Sequence, residues 1–230
     1  MRLFRNLAIT SSLGLLALVV PASASTLNDQ CLATPGYYNG SGNPNCGFVV
    51  ATENFGAGQV EIGLRTKHRQ DGSVIHTDDH YAVPTGPQDG AHLAYAYWNY
   101  EFSINLNSAL TGLDFSNSTT LLTITDLDNG QTATVAPTTY WLDNASLGPG
   151  MAQNSENPVF GNFPLAASFN MNRNTTYQFD LVTRVGGDIL ASATMYTVVG
   201  TGTELPEPGT IVMMLGSLGA LSFYVRRRKA

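Results

Sequence analysis

Trp98-Asn-Tyr-Glu-Phe-Ser-Ile-Asn-Leu-Asn107 decides the fold. Trp98, Tyr100, Phe102, Ile104 and Leu106 fall on one face and Asn99, Glu101, Ser103, Asn105 and Asn107 on the other, because side chains along a strand alternate with period two. The aromatic and aliphatic face predicts core, and so bulky a row predicts a strand paired on both sides.

Working outward, the same alternation recurs between turn signals. Upstream, Gly47 to Thr52 reads as a short apolar strand, and Gln59 to Arg69 sets Val60, Ile62 and Leu64 against Glu61, Arg65, Lys67 and Arg69. Asp71-Gly72 predicts a hairpin turn, with Ser73 to Val83 as the return strand. Downstream, Asp128-Asn-Gly130 predicts a hairpin over Thr119 to Val135, and Gly186-Gly187-Asp188 predicts another between Tyr177 to Val185 and Ile189 to Val199. Thr138 to Phe163, punctuated by Gly and Pro, reads as irregular. No stretch of this body has a helical period, so the expected fold is all-β: an antiparallel two-sheet sandwich with a jelly-roll-like order.

Both ends of the chain stand apart from that body. Met1 to Ala24 has a positive start (Arg2, Arg5), an apolar run from Leu7 to Val20 and a small-x-small site at Ala22-Ser23-Ala24. This is the pattern of a secretory signal peptide cut by signal peptidase after Ala24. The body, residues 25–203, carries only five basic residues, Arg65, Lys67, Arg69, Arg173 and Arg184, in a chain of net charge -6. So acidic a body lacks the clustered positive charge that nucleic acid requires. Its two cysteines, Cys31 and Cys46, flank a Gly/Pro/Asn-rich loop, which in an oxidising compartment reads as a disulfide; metal-binding or redox thiols are the alternative.

Candidate chemistry is sparse. His76, Asp78 and His80 would share one face of a continuous strand, a geometry open to a surface metal, although the plainer reading is a solvated hairpin arm. Asp126-Leu-Asp-Asn-Gly130 resembles the start of a calcium loop but lacks its distal Glu. Arg65, Lys67 and Arg69 form a basic stripe, either an ordinary solvent face or a contact for acidic polysaccharide. Asn39, Asn117, Asn144 and Asn174 match the glycosylation pattern, which arises by chance in Asn- and Thr-rich chains. No nucleophile elbow or phosphate-cradling loop is present, so no catalytic residue, resident metal or cofactor is assigned.

The end of the chain reads as an address. Pro206, Glu207, Pro208 and Gly209 precede an apolar run from Thr210 to Val225, then Arg226, Arg227, Arg228 and Lys229. The run is about the minimum length for a membrane-spanning helix, and the basic stop would stay cytoplasmic. A permanent single-pass anchor would have the same topology. The three parts in order resemble the PEP-CTERM protein-sorting domain, the match covering residues 204–230. That resemblance implies a substrate of an exosortase in a Gram-negative bacterium that makes exopolysaccharide. The chain would occupy the inner membrane transiently and then the outer surface or the extracellular matrix, with exopolysaccharide as a further partner. Leu205-Pro-Glu-Pro-Gly209 also resembles the Leu-Pro-x-Thr-Gly signal of Gram-positive sortases, from which it departs at Pro208.

Together these readings give a non-enzymatic exported surface or matrix protein associated with exopolysaccharide or biofilm. Two alternatives remain: a carbohydrate-binding module stacking sugars on Tyr95 and Tyr97, or a secreted hydrolase with a site within residues 138–163.

Overall fold

A computed structural model describes residues 25–31, 46–68, 74–137, 148–160 and 163–202. They form two β-sheets packed face to face. The first has five strands in the order β1 (Ser25–Gln30), β2 (Phe48–Phe55), β3 (Gly58–His68), β6 (Trp98–Asn105) and β9 (Met151–Glu156). The second has six, ordered β4 (Ile75–Thr77), β5 (His80–Val83), β11 (Asp188–Val199), β10 (Thr175–Val185), β7 (Thr119–Asp126) and β8 (Gln131–Val135). A single helical turn, α1 (Ser108–Thr111), links β6 towards β7.

The alternation along β6 does what its pattern predicts. Trp98, Tyr100, Phe102 and Ile104 are buried against the second sheet, and the strand is paired on both sides, with β3 and β9. Its rings meet those of β10: Trp98 stands edge-on to Phe179 at 6.3 Å between centroids, and Tyr100 lies tilted on the same ring at 5.3 Å. Such offset and edge contacts add to the area buried by each ring. Ala191, Ala193 and Met195 of β11 complete the facing layer. A polar contact also crosses the core, where the Thr66 and Thr197 hydroxyls lie 2.6 Å apart.

The β7–β8 and β10–β11 hairpins close where Asp128-Asn-Gly130 and Gly186-Gly187 predict, with Asp126 opposite Gln131 and Val185 opposite Asp188. Three expectations are corrected. Residues 75–83 are not the return strand of β3, which instead pairs with β2 through a turn at Gly56-Ala57 and with β6. They form the β4–β5 hairpin of the other sheet, while Asp71-Gly72 lies outside the described residues. The sandwich is not antiparallel throughout: β5 runs parallel to β11, a pairing that the antiparallel jelly roll does not have. Finally, the span read as irregular contains β9.

Among the described residues no helix is long and apolar enough to cross a membrane; the segment expected to do so, residues 210–225, lies outside them.

Candidate functional site

The chain leaves the sandwich at the end of β11, and the sequence there folds into a clip. Val199 pairs with Val83 of β5, after which the Gly200 N–H donates to the Val83 carbonyl at 2.7 Å. The Thr201 N–H donates to Asn174 Oδ1 at 3.3 Å, and the Gly202 N–H turns back to the Val199 carbonyl at 3.1 Å. Gly200 has φ +63°, and a Cβ there would run into the Asn174 side chain; one on Gly202 would run into the Thr175 carbonyl. Both positions therefore need glycine, the first for conformation and space, the second for space alone.

A buried network braces the same end. Asp126 accepts a hydrogen bond from Thr175 Oγ1 at 2.7 Å and pairs with the Arg173 guanidinium. The Asp128 N–H reaches the same carboxylate at 3.2 Å. Asp126 is thus already committed inside the fold, so the calcium-like loop lacks a free first ligand. Burial pushes the neighbouring Tyr177 phenol above its ordinary pKa, and the Asp126 carboxylate adds to the shift.

The other candidates are dispersed. His76 and His80 do not share a strand face: Asp78, at φ 52°, and Asp79 make a tight turn between them. His76 lies opposite Tyr81, and Thr77 lies opposite His80. The two imidazoles consequently sit on alternate faces, His76 near the Tyr81 ring and His80 stacked on Tyr196 at 4.6 Å while contacting Asp79. Among the described residues no three His, Cys, Asp or Glu side chains come together as a metal site. Tyr95 and Tyr97 are half-buried and separately engaged, Tyr95 edge-on to Phe160 and Tyr97 tilted on His68 at 4.3 Å. They do not form the exposed pair that stacking on sugars would use.

The basic stripe is corrected most sharply. Arg65 and Lys67 lie on the face of β3 turned away from the Trp98 core, yet their side chains are only 3% and 6% exposed. Glu101, opposite Arg65 on β6, meets the guanidinium at 2.5 Å and the Lys67 ammonium at 2.8 Å. Arg65 also donates to the Cys46 carbonyl at 2.6 Å and lies over the Phe48 ring at 4.6 Å. These cations are internal and share one carboxylate, and neither forms the expected solvent face or polysaccharide contact. Arg69 lies outside the described residues.

Cys31 and Cys46 are joined in a disulfide, tying the end of β1 to the start of β2. The expected signal-cleavage residues Ala22 and Ala24, residues 138–147, the sorting residues Pro206 to Gly209 and the basic stop at Arg226 to Lys229 lie outside the described residues. Two features were missed in the sequence: Glu101 as a shared counter-ion and the Gly200–Gly202 clip. The first was detectable as a lone carboxylate on the polar face of β6. The second left only a Gly-Thr-Gly run immediately after an alternating strand, with nothing local to name its partners Asn174 and Val83.

No curated protein matches the chain. Its final stretch does find a family: residues 204–229, beginning two positions after the clip closes, match the PEP-CTERM protein-sorting motif, the mark of an exported protein sorted by an exosortase.

Proposed function

We propose that the chain is a non-enzymatic surface or extracellular-matrix protein of a Gram-negative bacterium. In this reading it is exported by its signal peptide, held briefly in the inner membrane by the tail, and processed there by an exosortase. The sandwich is then released to the outer surface, where it associates with exopolysaccharide. The observation that carries the reading is the sorting motif placed directly behind a sandwich whose end is closed. The non-enzymatic part is supported by how the reactive-looking groups are employed: Glu101 and Asp126 pair with cations within the fold, and His80 packs on Tyr196.

The test compares the fraction of the full chain retained in the matrix of cells that make exopolysaccharide with that of cells that cannot. Release into the medium in the deficient strain is expected. Equal retention in both would contradict the polysaccharide association while leaving sorting intact.

A further inference from the structure

The clip fixes where the body ends, and the family match fixes where the sorting motif begins. Only Thr203, Glu204 and Leu205 separate Gly202 from Pro206. Four virtual bonds of extended chain span at most about 14 Å. Gly202 itself is held to Val199 and packed against Thr175, so the body contributes no slack. An enzyme that grips Pro206 to Gly209 must therefore have the end of the sandwich within that distance of its binding groove.

The described surface beside the exit includes Pro84, Thr85, Asn172, Asn174 and Thr201. Thr85 is partly buried and the other four are exposed. All are small or uncharged. The neighbouring cation, Arg173, is paired with the buried Asp126. A surface of this kind lacks the run of free Lys and Arg that attracts anionic lipid headgroups, whereas small neutral side chains let a protein surface approach closely. We infer that this end of the sandwich is the surface the processing exosortase must lie against to reach the motif, so that cleavage depends on that surface leaving room for the enzyme as well as on the motif. The inference rests on the sorting reading above.

The experiment follows processing of the full chain by intact mass, in cells with and without the exosortase. Asn172→Arg and Thr201→Trp enlarge the exit surface at exposed positions, and Asp188→Arg makes a comparable change at the exposed β10–β11 turn, the opposite end of those strands. A second set carries about 12 Gly/Ser residues inserted after Gly202, adding roughly 20 Å of root-mean-square reach. The expected result is a severalfold loss of processed chain for Asn172→Arg and Thr201→Trp, none for Asp188→Arg, and recovery of the first two with the inserted linker. Parent-like processing of the exit variants overturns the inference. So does a loss that the linker fails to relieve, because that reports damage to the fold. If the parent chain keeps its tail in cells containing the exosortase, the sorting reading itself fails, a result distinguishable from a motif that is cut regardless of the exit surface.

Discussion

Replacing Glu101 with Ala leaves two buried cations, side by side on one face of β3, without the carboxylate they share. Glu101 is 1% exposed and touches both Arg65 and Lys67, themselves nearly as deeply buried. Neither cation can recover water without opening the sheet face. Removing one partner of a buried pair destabilises by about 3–5 kcal/mol, and a carboxylate serving two cations belongs at the upper end. With total stabilities of about 5–15 kcal/mol for such domains, that is a large fraction of the whole. At a urea slope of about 2 kcal/mol/M, the unfolding midpoint should fall by about 2 M. Replacing all three residues at once with apolar ones of similar volume should cost far less, since it also removes the desolvated charges. Urea unfolding of the exported protein, followed by tryptophan fluorescence, measures both variants. A Glu101→Ala change within about 0.5 kcal/mol, the range of an ordinary surface substitution, would refute the burial of this cluster.

Reduction of the Cys31–Cys46 disulfide, or Cys31→Ala, should lower stability by about 3 kcal/mol on the loop-entropy estimate for its sequence separation of 15, leaving sorting unchanged. Two reactive thiols in the exported, unreduced protein would contradict the bond. A pH dependence follows from Tyr177 and Tyr196, whose phenols burial holds above the ordinary value of 10.0. Because the folded state keeps these protons longer than the unfolded chain, their contribution is fully present below about pH 10 and is lost as pH rises through the folded values. The urea midpoint should decline over that range, less steeply in Tyr177→Phe; a parent midpoint that holds steady or rises would contradict it.

How much of this was legible depends on where each strand finds its partner. β6, β7–β8 and β10–β11 announce themselves because the apolar alternation and the turn residues belong to the same short segment, so local chemistry decides both. β9 is invisible because its core-side residues are Ala152, Asn154 and Glu156, which lie in register with Ile104, Phe102 and Tyr100 but carry no apolar pattern of their own. The parallel β5–β11 pair joins segments more than a hundred residues apart, and no local signal encodes it. Arg65 and Lys67 looked solvated for the same reason: the carboxylate that makes their burial tolerable stands on a different strand, at Glu101. The exit was half legible, the sorting motif by its spelling and the clip only through Asn174 and Val83, which are distant in sequence.

The central claim, that the tail is a processing signal joined almost directly to a folded body, is tested most directly by the intact mass of the mature C-terminus from cells with and without the exosortase. Loss of Arg226 to Ala230 only in cells that contain the enzyme is the predicted result. Recovery of those residues from both strains would show a permanent anchor and contradict the account.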